Sequence, residues 1–152
     1  MLVKDLMTRQ VVTIEASDSC LDALARMHQA RVRHLPVVDL KGLLVGIVTD
    51  RDLRHHLFSP AVYKDLGQLT VEILLKAAPV AEIMSAQVIT AAPEDQLVDA
   101  ARCMLEEKVG SLPVVEGERV VGIITETDLL RQICRADTAA SPACAEIIVS
   151  YP

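Results

Sequence analysis

Aromatic side chains are almost missing from this 152-residue chain: Phe58, Tyr63 and Tyr151 make up 2% of it, and there is no Trp. That scarcity argues against a stacking platform for single-stranded nucleic acid, which needs rings beneath successive bases. A basic excess is missing too. Fifteen Lys and Arg stand against 21 Asp and Glu, a formal net charge of −6. Nucleic-acid coating relies on a basic surface to displace counterions, so no nucleic-acid partner is expected. Long apolar runs are also lacking. Leu43-Leu44-Val45 is interrupted by Gly46 before Ile47-Val48, far short of the roughly 20 residues that span a bilayer. Met1 to Gln10 carries Lys4 and Arg9 without the apolar core of a signal peptide. The four cysteines, Cys20, Cys103, Cys134 and Cys144, show no C-x-x-C spacing. Neither a disulfide framework nor a zinc site is expected from them. They read as small, reduced core residues of a cytoplasmic protein without membrane contact.

What the chain has is a repeat. Val3-Lys4-Asp5-Leu6-Met7-Thr8 recurs as Val80-Ala81-Glu82-Ile83-Met84-Ser85, and Gln10-Val11-Val12-Thr13 as Gln87-Val88-Ile89-Thr90. Leu35-Pro36-Val37-Val38-Asp39 recurs as Leu112-Pro113-Val114-Val115-Glu116, 77 positions on. With one deletion, Val45-Gly46-Ile47-Val48-Thr49-Asp50-Arg51-Asp52-Leu53 matches Val121-Gly122-Ile123-Ile124-Thr125-Glu126-Thr127-Asp128-Leu129. Over 51 aligned positions, 20 are identical, which establishes duplication. The organisation reads as repeat one at 1–57, a linker at 58–79, repeat two at 80–133 and a tail at 134–152.

Each repeat reads as β-α-β-β-α. Val11–Ile14 is β-branched and predicts a strand. Ser17-Asp18-Ser19 offers a helix N-cap. Leu21, Leu24, Ala25 and Met27 or His28 follow at helical spacing, as do Val98, Ala101, Met104 and Leu105 in the second copy. Leu35–Val38 and Leu43–Val48 predict two further strands, and a short helix runs from Asp50 to Leu57, or from Glu126 to Ile133. In the linker, Pro60 and Gly67 break the chain and Thr70 predicts the cap of a helical run at 71–75. A unit of about 55 residues is marginal as an independent core. The two are therefore expected to bury their apolar faces against each other as one α+β module with pseudo-twofold symmetry, packed through the sheets. The tail reads as loosely attached, with Ile147-Ile148-Val149 as its apolar stretch.

The chemistry-bearing phrase is the strand exit Gly-x-x-Thr-x-x-Asp. A Thr hydroxyl and the free N–H groups of a helix start can receive phosphate oxygens. A carboxylate one turn on can accept from a ribose diol. The same pattern is a variant of the helix capping box, a purely structural role.

The V-x-[DE]-[LI]-M-[ST], L-P-V-V-[DE] and G-[IV]-[IV]-T-x-x-D phrases, twice in order, resemble a tandem pair of CBS domains, a Bateman module. The resemblance covers about 1–57 and 78–133. It implies two clefts that bind adenosine derivatives such as AMP, ADP or ATP, a regulatory role without catalysis, no obligatory cofactor and a homodimeric assembly. By the resemblance, Thr49 with Asp52, and Thr125 with Asp128, contact phosphate and ribose. Thr13 and Thr90 stand near the base, and Leu35-Pro36 and Leu112-Pro113 form an apolar wall. With aromatics absent from both repeats, adenine would lie between aliphatic side chains.

The halves differ in charge. Repeat one holds eight Lys and Arg against seven Asp and Glu; repeat two holds four against ten. Arg33, His34 and Arg51 face Gly110, Ser111 and Thr127 in the alignment. Unequal sites are expected, with the polyphosphate-competent one depending on those three basic residues. The adjacent His55-His56 pair is a poor metal chelate and suits the end of a helix, so no metal is expected. The alternatives are a sensor of S-adenosylmethionine or NAD, or a structural, oligomerising module with empty clefts. No nucleophile–base pair or phosphate loop points to an enzyme. A regulated activity is expected on another chain.

Overall fold

The computed structural model describes residues 1–57 and 68–136. The linker positions Pro60 and Gly67, and the Ile147-Ile148-Val149 stretch of the tail, lie outside the described residues. A single turn, α1 (Val3–Leu6), opens the chain. In the first unit β1 (Ile14–Glu15) runs parallel to β2 (His34–Val38), which pairs antiparallel with β3 (Leu44–Thr49). Helix α2 (Cys20–Ala30) joins β1 to β2, and α3 (Asp50–Leu57) follows β3 directly. Then come α4 (Gln68–Ala77) and a 3-10 turn (Val80–Glu82). The second unit comprises α5 (Leu97–Glu107), the antiparallel pair β4 (Ser111–Glu116) and β5 (Arg119–Thr125), and α6 (Glu126–Ala136). The α+β class and the duplicated plan are as the sequence predicts.

Local chemistry explains the punctuation. Ser19 caps α2: its Oγ accepts from the Asp22 N–H at 3.1 Å, and the Asp22 carboxylate accepts from the Ser19 N–H at 3.3 Å. Gly42 and Gly117 turn the two hairpins at φ of 78° and 64°, a region costly for other residues.

Three local expectations are corrected. Val11–Ile14 yields only the two-residue β1, and its second copy makes a single parallel bridge, Ala91 to Val114. The preceding Val11 and Val12 lie outside the sheet and border a cleft. Met27 and Met104 are buried as the predicted stripes have them, but the rest of each buried face lies one position away, at Cys20 and Ala23 of α2 and Ala100 of α5. Leu24, Val98 and Leu105 stay exposed. Small side chains face inward because they let a helix approach the sheet and its neighbours closely. Thr70 lies within α4 (Gln68–Ala77) rather than ahead of it. Of the cysteines, Cys20 is core, Cys103 half-buried and Cys134 exposed.

The two units exchange their opening segments. Val3 and Met7, from the start of repeat one, are buried in the second unit's core with Ala91, Ala100, Met104, Leu112, Val114 and Ile124. Val80, from the start of repeat two, is buried in the first unit's core with Ile14, Ala23, Leu35, Val48 and Leu75. Backbone bonds seal both exchanges. The Val3 N–H donates to the Asp95 carbonyl at 2.9 Å, and Thr8 and Ile123 bond each other at 2.9 and 3.0 Å. In the mirror arrangement the Val80 N–H donates to Asp18 at 2.8 Å, and Ile47 and Ser85 bond each other at 3.0 and 2.9 Å. Lys4 reaches both carboxylate oxygens of Glu94 at 2.8 Å. The Leu44 N–H also donates to Glu118 at 2.8 Å, tying the two hairpins together.

Candidate functional site

Both copies of the Thr-x-x-Asp phrase form capping boxes. The Thr49 N–H and hydroxyl donate to Asp52 Oδ2 at 2.8 and 2.7 Å, and the Asp52 N–H donates back to Thr49 Oγ1 at 3.1 Å. In the second copy the Thr125 N–H and hydroxyl donate to Asp128 Oδ2 at 2.9 and 2.7 Å. The structural reading of this phrase therefore holds. It uses one carboxylate oxygen of each Asp and leaves Oδ1 outside the box; Asp128 Oδ1 has Arg131 Nη1 at 3.6 Å.

Each box opens onto a cleft whose opposite wall comes from the other repeat. The Asp128 cleft, of about 200 Å³, joins Ile123, Thr125 and Asp128 to Thr8, Gln10, Val11 and Val12 and to the stretch Arg31–His34. The Asp52 cleft, of about 550 Å³, joins Ile47, Thr49 and Asp52 to Ser85, Gln87, Val88 and Ile89 and to the stretch Lys108–Ser111. These residues are matched pairs of the repeat, so the clefts are pseudo-equivalent. The larger falls within the ~300–1,000 Å³ typical of small-molecule pockets and the smaller falls below it.

Arg33, His34, Arg51, Thr49 and Asp52 are brought together along the Asp52 cleft. Thr125 and Asp128 line the other, where Arg33 and His34 also reach. Six sequence candidates line neither. Leu35, Pro36, Leu112 and Pro113 are buried within β2 and β4 as ordinary core. Thr13 offers its carbonyl to Arg26 at 2.8 Å, and Thr90 is exposed. The aliphatic side chains that line the clefts are Val11, Val12, Val32 and Ile123 in one, and Val88, Ile89, Val109 and Ile47 in the other.

Sequence reasoning missed one matched pair of cations. Arg31 and Lys108 end α2 and α5 in the left-handed conformation, at φ of 54° and 56°, and each lines a cleft. Glycine is the ordinary choice there, and a long basic residue pays a strain of roughly 1–2 kcal/mol. The repeated Arg/Lys register was the available signal. The Asp52 cleft holds Arg33, Arg51, Arg54 and Lys108 against Asp50, Asp52 and Glu126, with Arg54 held by Asp50 at 2.5 Å. The Asp128 cleft holds Arg31, Arg33 and Arg131 against Glu126 and Asp128.

His34 sits half-buried between the clefts. Burial, then the neighbouring Arg33 charge, lowers its pKa below the usual 6.5; Asp50, Glu126 and Asp52 oppose the shift. The unfolded chain then binds more protons between the two pKa values, so stability rises with pH in that window. Acidification through 6.5 is expected to lower the melting temperature until the folded-state value is passed. Melts at pH 7 and pH 5 check this: His34→Gln should show the smaller acid loss, and an unchanged loss would contradict it. His55 and His56 lie in the last turn of α3. Among the described residues, no helix is long and apolar enough to cross a membrane.

A family model described as CBS domain matches residues 3–59 and 80–135. The CBS domain-containing protein YhcV of Bacillus subtilis is 35% identical over 127 residues, covering 84% of this chain and 81% of that protein. A CBS domain-containing protein of Dictyostelium discoideum is 37% identical over 131 residues, covering 85% and 88%. Other relatives are far longer. The chain spans 31% of protein MJ1404 of Methanocaldococcus jannaschii and 24% of a homoserine O-acetyltransferase of Methanococcoides burtonii, at 36% identity to each. Among solved structures, the CBS domain pair of protein MJ0100 superposes with a TM-score of 0.76 at 28% identity, covering 90% of this chain and 98% of that one. That pair was crystallised with 5′-methylthioadenosine and S-adenosyl-L-methionine.

Proposed function

This chain belongs to the CBS domain family, and from that premise we propose that it is a regulatory module whose two clefts bind an adenosine derivative. AMP, ADP or ATP is the favoured class, with S-adenosylmethionine or NAD as the other adenosine-bearing options. The observation that carries the reading is the composition of each cleft. A helix start with a Thr and an Asp from one repeat faces aliphatic side chains and a basic helix end from the other. Helix-start N–H groups suit phosphate, the carboxylate suits a ribose diol, and the aliphatic pair suits a purine face. The adenosine-bearing ligands of the MJ0100 pair support the same ligand class. A ligand that bridges both repeats would favour one relative orientation of the units, and a protein partner would read that difference. Chemistry is then left to the partner. The reading also puts the protein in the reducing cytoplasm, where free thiols such as Cys20 persist.

A thermal-shift panel with AMP, ADP, ATP, S-adenosylmethionine and NAD tests this. A ligand at about 100 times its Kd adds about 2.7 kcal/mol, or roughly 5–10 °C for a chain of this size. No shift with any of the five contradicts the reading.

The second reading is a structural, oligomerising module with empty clefts, and one observation favours assembly into a homodimer under either reading. Val98, Leu105, Leu130 and Ile133 of α5 and α6 stand 61–80% exposed, a large apolar display for a solvated face. A dimer mass in sedimentation together with a flat thermal-shift panel would support the second reading.

A further inference from the structure

We infer that the two clefts are coupled through a single shared cation, so that a polyphosphate nucleotide in one weakens the binding of a second in the other. The inference rests on the clefts being nucleotide sites, as proposed above.

Arg33, His34, Gly110 and Glu126 border both clefts and form the wall between them. Gly110 is the repeat partner of Arg33, and Ser111 that of His34. Symmetric duplication would put two guanidinium groups in this wall; the chain has one. A side chain at Gly110 would begin close to two others of the wall. His34 Nε2 lies 3.3 Å from where a side chain at Gly110 would begin, and Glu126 Oε2 lies 3.5 Å from the same point. Burial and Arg33 keep His34 toward its neutral form.

Glu126 sharpens the effect. Its repeat partner Asp50 is engaged by Arg54 and borders only the Asp52 cleft. Glu126 has no such partner among the described residues and faces both sides. Phosphates that draw Arg33 into one cleft leave the other facing a carboxylate with less compensation. A multiply charged anion binds well only where cations offset its desolvation. The Asp52 cleft is expected to fill first, because it is larger and holds Arg51, where the other has Thr127.

Unequal affinities alone do not establish coupling, so the test compares one cleft in two states. Isothermal titration of the full chain with ATP gives the second-step affinity in the wild type. The same cleft is then measured with the Asp52 cleft disabled by Asp52→Ala, and independently by Arg51→Glu, an exposed change that spares the capping box. The expected result is ATP binding at least about fivefold tighter in both variants than in the wild-type second step. Arg33→Gln added to either variant should remove the difference, and adenosine, lacking phosphates, should show none. Equal ATP affinities, or equal coupling with adenosine, would overturn the inference while leaving the nucleotide reading intact. Failure of both ATP and adenosine to bind overturns that reading, and the inference with it.

Discussion

A fragment of residues 9–85 is expected to fold cooperatively, and a fragment of residues 1–57 is not. The repeat boundary alone would suggest the opposite. The first unit's core runs from Ile14 to Val80, with Val12 and Met84 among the residues packed against it, all inside 9–85. Residues 1–57 lose Leu75, Ala78 and Val80, each 8% exposed or less. Burial of a large aliphatic side chain stabilises by ~1.5–3 kcal/mol. The shorter fragment also loses the bonds from Cys20 to Ala78, Val80 to Asp18 and Ala81 to Ala16, at 2.8–2.9 Å. A unit of about 55 residues has little stability to lose. In return it carries Val3 and Met7, whose partners lie in the other unit. Urea unfolding followed by far-UV circular dichroism separates the cases. A cooperative transition for 9–85 and none for 1–57 is expected, and the reverse would contradict the exchange.

Gly46→Ala and Gly122→Ala should each destabilise the chain by about 1–3 kcal/mol, the range for forcing atoms into a packed interior. The strain is not in backbone dihedrals. A Cβ at Gly46 would stand 2.5 Å from Met84 Sδ and 3.1 Å from the Ser85 carbonyl oxygen. That carbonyl accepts from the Ile47 N–H at 3.0 Å, so it cannot retreat without loosening the exchanged segment. At Gly122 the Cβ would meet Met7 Sδ at 2.5 Å, along with Met7 Cγ and Cε. Only side-chain atoms obstruct it there, so the Gly122 change should cost less. Met84→Ala should relieve part of the Gly46 penalty, giving a coupling energy in a double-mutant cycle. Chemical denaturation of the four proteins measures it. Strict additivity of Gly46→Ala and Met84→Ala would show that the two residues do not obstruct each other.

Those glycines show how far the sequence could be read. V-G-I and the opening V-x-x-x-M-[TS] are visible as repeated phrases, and the hairpin strands and the helices that follow them fall where propensity puts them. That Met84 seats on Gly46 and Met7 on Gly122 is not visible, because alignment says which residues are alike and not which are neighbours. The Thr-x-x-Asp boxes were legible because capping is local chemistry, three residues wide. The aliphatic walls were not. Leu35-Pro36 and Leu112-Pro113 are apolar enough to line a ligand, yet central strand positions claim them for the core. Val11, Val12, Val88 and Ile89 look like strand, yet they leave the ladder to border the clefts. Helix faces slipped by one position for a related reason. Hydropathy ranks Leu24 and Leu105 above Ala23 and Ala100, while close packing prefers the small residues. The charge imbalance between repeats was plain from composition. Its consequence needed the fold, since Arg33 of one repeat borders the Asp128 cleft of the other.

The central claim is that each cleft is a separate adenosine site anchored by its own Asp. Equilibrium titration of adenosine into the full chain, its Asp52→Ala and Asp128→Ala variants and the double variant tests it most directly. Two sites per chain, one in each single variant and none in the double variant are predicted. No binding in the wild type, or two sites surviving in the double variant, would contradict the account.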